Sequence, residues 1–254
     1  MMRYIVLWCA TCTVLSSTGV PFNARSTAHL CMITAPRKHA YVLETSRAIL
    51  SQITETGLGS RVTLSINVAG SAADVIDSPL AAALENRALA TGPDCLTNED
   101  TDPLPPCGVR QQGLDVANAL ATCQRRNPGV DWIVLLEDDF MPCDNHTLAR
   151  LLDTLDTLDP RTTKFARFTQ GGGGVAFPSA HALLYTQSIL HHIASMPHDR
   201  VLLEPWSAEK DYVFAKHLFK HIGSVSTIGY RNTQEYVREY SRLRDNECGD
   251  QISV

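Results

Sequence analysis

The chain has 254 residues, 44% hydrophobic and 19% charged, which suits one globular α/β domain of ordinary size. Its net charge of −5 shows no basic excess, so nucleic acid is an unsuitable partner. No internal repeat or heptad run is evident, which sets repeat and coiled-coil architectures aside.

The first segment, "MMRYIVLWCATCTVLSSTG", has one Arg, an apolar core from Tyr4 to Leu15, and then small residues. Residues 1–25 therefore read as a signal peptide or a short signal-anchor, with residues 26–254 as a single domain. "HLCMITA", from His29, is a strand. "PRKHAYVLETSRAILSQITE" follows with Tyr41, Leu43, Ile49, Leu50 and Ile53 loosely at helical spacing, and Arg61 to Gly70 is a second strand. Strand, helix, strand is the opening of a doubly wound sheet. "SAADVIDSPLAAALENRAL" is helical in part. Residues 92–108 carry four prolines and two glycines and form a loop long enough for a lid. Val109 to Asn127 is a helix.

The stretch "DWIVLLEDDFMPC", Asp131 to Cys143, is the strongest chemical signal. Trp132 to Leu136 form a continuous apolar run of strand length, the pattern of a strand buried on both faces. Glu137, Asp138 and Asp139 fall at its carboxyl end, where open α/β sheets bind ligands. Adjacent carboxylates repel, and a buried one without a partner is costly. A divalent cation relieves that cost; a solvated acidic turn is the plain alternative. On an extended chain Glu137 and Asp139 would face one way and Asp138 the other. An oxygen-rich site of this kind suits Mg²⁺ or Mn²⁺ bridging protein carboxylates to a diphosphate, which predicts a nucleotide-type substrate.

Beyond it, "DNHTLARLLDTLDTLD" is an amphipathic helix whose start is marked by Asp144 or Asn145 as cap, and Asn145 to Thr147 is an N-glycosylation sequon. Lys164 to Gln170 is a strand broken by Gly171 to Gly174, a turn that lets backbone approach a ligand. "AHALLYTQSILHHIASM" is a helix, or a strand turning into one, and "SAEKDYVFAKHLFKH" is a further helix. Within "LFKHIGSVST", His221 is suited to a metal or a phosphate and Gly223 to close backbone approach. In "EPWSAEKD", Glu209 and Asp211 lie beside Trp206; a carboxylate there could activate an acceptor hydroxyl, or simply suit a helix N-terminus. The tail from Arg231 is charged and peripheral.

Eight cysteines are present, and removing Cys9 and Cys12 of the leader leaves six. These suffice for up to three disulfides in an oxidising compartment, with connectivity open; Cys95 and Cys107 flank the Pro-rich loop.

Taken in order, "APRKHAYVLETSRAILSQI", "RQQGLDVANALATC", "WIVLLEDDF", "FARFTQ", "AEKD" and "LFKHIGSVST" resemble the N-acetylglucosaminyltransferase IV family, which adds a β-linked branch to N-glycan mannose. They equally resemble the related enzymes that place N-acetylgalactosamine on the GPI-anchor core. The resemblance runs from about Cys31 to Thr227 and is most specific at the EDD and HIGSVST stretches. It implies a GT-A fold, a Rossmann-like, mostly parallel sheet flanked by helices. It implies a UDP-sugar donor, a glycan or glycolipid acceptor, Mn²⁺ or Mg²⁺, and a Golgi or endoplasmic reticulum lumenal location. It also implies that Glu137, Asp138 and Asp139 form the DXD-like motif, with Asp139 and His221 holding metal or diphosphate and Asp211 or Glu209 acting as base of an inverting transfer.

Two other readings compete. One is an inactive, secreted carbohydrate- or nucleotide-binding domain of the same fold. The other is a metal-dependent phosphoesterase, which requires a second ligand set for which His181, His191, His192 and His217 are the available imidazoles.

Overall fold

The computed structural model describes residues 25–34, 41–69, 107–169, 173–193, 198, 201, 212–214, 217–223 and 248. The leader, the segment 71–89, most of the 92–108 loop, Glu209 and Asp211 lie outside the described residues.

The chain is α/β, with a mostly parallel central sheet flanked by helices. In chain order the elements are β1 (Ala28–Thr34), α1 (Val42–Glu55), a 3-10 turn (Leu58–Ser60), β2 (Val62–Val68) and α2 (Cys107–Arg126). Then follow β3 (Trp132–Glu137), β4 (Phe140–Pro142), α3 (Thr147–Asp156), β5 (Phe165–Arg167), β6 (Val175–Pro178), α4 (Ser179–His192), β7 (Tyr212–Phe214) and β8 (Phe219–His221).

Six strands form the sheet in the order β2-β1-β3-β6-β5-β7, while β4 and β8 pair as a separate ribbon. β1 is parallel to β2 and β3; β6 is antiparallel to β3 and β5; β7 is parallel to β5. Strand β6 alone therefore runs against the other five.

Each face of β3 packs into a different core. Ile133 and Leu135 join Cys31, Leu114, Leu120, Phe177, Tyr185 and Ile189 on the side of α2 and α4. Trp132, Val134 and Leu136 join Leu30, Ile49, Leu148, Leu151 and Leu155 on the side of α1 and α3. This is why β3 reads as an unbroken apolar run: neither face meets water. Strand β2 lies at the sheet edge and is covered only at its start, with Val62 buried and Ile66 and Val68 exposed on the same face.

Three expectations need correction. The segment read as one helix, "SAEKDYVFAKHLFKH", holds two short strands, β7 and β8, because their aromatic and β-branched residues pair with β5 and β4. Tertiary pairing overrides the helix preference of the intervening Ala and Lys. Strand β5 is shorter than Lys164 to Gln170, spanning Phe165–Arg167, with one further ladder bond from the Phe168 N–H to the Gly174 carbonyl at 2.8 Å. The cap position of α3 is His146, not Asp144 or Asn145. Asp144 instead supports the preceding turn: its carboxylate accepts from the His146 N–H at 2.8 Å and from Arg150 at 2.6 Å.

Two disulfides close the described structure. Cys31 on β1 joins Cys123 on α2, and Cys143 after β4 joins Cys248. The second ties the charged tail to the foot of the β4–β8 ribbon, so at Cys248 the tail is anchored rather than peripheral. Among the described residues, no helix is long and apolar enough to cross a membrane.

Candidate active site

The carboxyl end of β3 is shaped by the turn that follows it. The ladder to β1 extends one residue past the strand, where the Asp138 N–H donates to the Ile33 carbonyl at 2.9 Å. The chain then turns through Asp138 and Asp139 and leaves the sheet as β4, which begins at Phe140 and pairs with β8. Its register pairs Phe140 with His221, Met141 with Lys220 and Pro142 with Phe219.

Asp138 and Asp139 diverge at this turn, as the alternation of an extended chain expects. Asp138 is fully buried, with Oδ2 accepting from Thr34 Oγ1 at 2.7 Å and its carbonyl accepting from Thr45 Oγ1 at 2.6 Å. Asp138 thus binds the turn to β1 and to the inner face of α1. The same face carries Gln52, whose side chain donates to the Asp144 carbonyl at 2.7 Å and accepts from Leu148 N–H at 3.0 Å. Helix α1 therefore holds both ends of β4. Glu137 ends β3 half-buried, in register with Ile33.

Asp139 turns the other way. Its side chain is 4% exposed, and Oδ2 lies 3.2 Å from His221 Nε2. Its carbonyl accepts from the Ile222 N–H at 2.8 Å, which continues the ribbon past β8. The Phe140 ring meets the His221 ring edge-on, with centroids 5.0 Å apart. His221, from a segment read as the end of a helix, is a strand residue aimed at the acidic turn. Sequence reasoning named both members of this pair; the structure brings them together.

A buried carboxylate facing an imidazole has two chemical uses. It can hold the imidazole in a chosen orientation, or the two can share a cation, since carboxylate oxygen and imidazole nitrogen both suit Mn²⁺. Asp139 and His221 fit such an ion as two of its ligands. Among the described residues no group of three or more His, Cys, Asp or Glu could hold a metal, so the remaining positions would fall to water or substrate oxygens. No second ligand set appears among the described residues for a two-metal phosphoesterase: His181 Nδ1 lies 3.1 Å from the Thr163 carbonyl, and His191 and His192 contact each other.

Several contributors had little signal in the sequence. Thr34 and Thr45 look like ordinary strand and helix residues. Arg167 ends β5, buried and level with Leu135 across β6. His217 is held below the usual histidine range by burial, with the Arg167 charge adding to the effect. The glycine run was read as backbone that approaches a ligand. The residue that approaches Gly173 is Phe140, and Gly174, just before β6, has a φ of 63° that glycine adopts readily.

A cleft of about 160 Å³ opens nearby, at the carboxyl ends of β1 and β2. Ile33, Asn67, Val68, Asp115, Thr122 and Arg126 are among its walls. Asp139 and His221 do not line it, so the cleft and the pair are separate features.

No protein-family model matches this sequence, and no curated protein matches it. Among solved structures, the chain is similar to the crystal structure of a glycosyltransferase involved in the glycosylation of the major capsid of PBCV-1. The two share 10% identity and a TM-score of 0.45, over 85% of this chain and 100% of that one. A likeness this distant carries no argument about residues or reaction.

Proposed function

We propose that this chain is a metal-dependent glycosyltransferase that moves a sugar, an N-acetylhexosamine, from a UDP-sugar to a glycan or GPI-glycan acceptor with inversion. The observation that carries the reading is buried Asp139 facing half-buried His221 at the carboxyl end of a central parallel strand. That edge of an α/β sheet is where ligands bind, and a buried carboxylate there calls for positive charge.

In this scheme Asp139 and His221 hold Mn²⁺ or Mg²⁺, which when bound supplies positive charge against the leaving diphosphate. Asp138 keeps the turn rigid through Thr34 and Thr45. Glu137 adds negative charge beside the ion. The cleft at the ends of β1 and β2 offers room for the nucleoside. Asp211 or Glu209 takes the proton from the acceptor hydroxyl, a role that rests on the family resemblance. The two disulfides suit an oxidising compartment, and with the start of the sequence read as a leader they support placing the reaction in the Golgi or endoplasmic reticulum lumen.

A thermal-shift screen of UDP-sugars with and without Mn²⁺ tests the class. The proposal expects stabilisation by UDP and by one UDP-sugar only when Mn²⁺ is present, followed by Mn²⁺-dependent release of UDP on incubation. Stabilisation without release would favour an inactive binding domain. A flat response to every nucleotide would remove the donor class altogether.

A further inference from the structure

We propose that Gly223 and Gly173 are positioning residues that set the aim of the Asp139–His221 pair by leaving room for Asp139 and Phe140. The functional consequence rests on the metal reading above; the geometry does not.

Consecutive residues of the turn, Asp139 and Phe140, each press against a glycine from a different part of the chain. A Cβ on Gly223 would overlap Asp139 Oδ2 and stand 2.9 Å from its Cγ and 3.1 Å from its Cβ. A Cβ on Gly173 would stand 2.6, 2.8 and 3.0 Å from Cε2, Cδ2 and Cζ of the Phe140 ring. Separations below about 3 Å are repulsive for carbon, so in each case something must move. The neighbours leave little room. Asp139 is held through its own carbonyl by Ile222 and through Oδ2 by His221. Phe140 is buried, paired in the ladder with His221 and packed edge-on to its ring.

The two contacts converge on one imidazole. A side chain at position 223 would displace the carboxylate that faces Nε2, and one at position 173 would displace the Phe140 ring that packs edge-on with the same histidine. Neither glycine is at a positive φ, so conformational freedom is not the reason for its presence. Space is the reason. Gly223 sits two residues after His221, so the strand that supplies the imidazole also supplies the gap its carboxylate partner fills.

The test is a pair of double-mutant cycles on the full chain, reading Mn²⁺ affinity by the electron paramagnetic resonance signal of the free ion and stability by thermal melting. Gly223→Ala is expected to weaken Mn²⁺ binding roughly tenfold or more, as loss of a ligand's support does. It should lower the Tm clearly in the parent and much less in an Asp139→Ala background, where the overlapping carboxylate is gone. Gly173→Ala should weaken Mn²⁺ binding likewise, and its added cost in both readouts should be small in a Phe140→Ala background, which lacks all three clashing atoms.

Unchanged Mn²⁺ affinity in Gly223→Ala, or equal Tm losses with and without Asp139, would overturn the proposal. If Gly223→Ala alone is too unstable to melt cooperatively, Gly223→Ala/Asp139→Ala should still fold, and failure of that double variant also overturns it. Should the parent chain bind no Mn²⁺, the metal reading fails, while the Tm couplings still decide the positioning roles.

Discussion

Acidification should destabilise this protein through one buried histidine. His29 lies on β1, 3% exposed, facing β2. Its Nδ1 is 2.7 Å from Thr63 Oγ1 and its Nε2 is 2.8 Å from Ser65 Oγ. A neutral imidazole donates at one nitrogen and accepts at the other, and two hydroxyls can answer either arrangement. An imidazolium would need two acceptors in a place with little water. Burial therefore brings the His29 pKa from 6.5 down to about 4. The unfolded chain binds this proton more readily, so the stability is fully present above the unfolded value and is lost as pH falls toward about 4. The whole shift is worth about 3 kcal/mol, of which roughly 2 kcal/mol disappears between about pH 7 and about pH 5. Urea denaturation at those two pH values, on the parent and on His29→Gln, isolates the term. Gln can donate and accept but does not titrate. His217, also shifted downward by burial and by Arg167, is common to both proteins and cancels. The parent should lose about 2 kcal/mol more than His29→Gln on acidification. Parallel losses would show that His29 is not the group responsible.

The Cys31–Cys123 bond closes a long stretch of chain, with a sequence separation of 92. Replacing both cysteines with Ala should lower unfolding stability by about 3–5 kcal/mol in non-reducing urea titrations, and equal midpoints would contradict the pairing. Thr34→Val removes the hydroxyl that donates to buried Asp138 and should cost about 1–3 kcal/mol, while Thr34→Ser should recover most of it. A Thr34→Val protein that melts like the parent would mean that the acidic turn does not depend on this contact.

What the sequence made legible follows the range of the forces involved. β3 was readable because both its faces are buried, so five apolar residues stand together and the change to Glu137 marks its end. α1 and β2 were readable from local periodicity. β6 was hidden: "VAFP" lies between a glycine run and a helix, and its place between β3 and β5 depends on partners distant in sequence. β7 and β8 read as a helix in the sequence because Ala and Lys between the aromatics favour one, while the strands depend on pairing with β5 and β4. Of the site, Asp139 and His221 stood out as chemically capable residues, and Gly223 as a place for close approach. That Asp139 is what makes that approach, that Asp138 is committed to Thr34, and that Gly173 receives Phe140 are facts of long-range register. No local pattern encodes them.

The central claim is that Asp139 and His221 hold a divalent cation that binds the phosphates of a nucleotide. Titration of the full chain with Mn²⁺, in the presence and absence of UDP, tests it most directly, with Asp139→Ala and His221→Ala as the comparisons. The account predicts that the parent binds Mn²⁺, that UDP tightens the binding, and that each substitution weakens it by roughly a hundredfold or more, beyond the loss typical of a supporting residue. Equal Mn²⁺ affinity in the parent and in Asp139→Ala, with or without UDP, would contradict it.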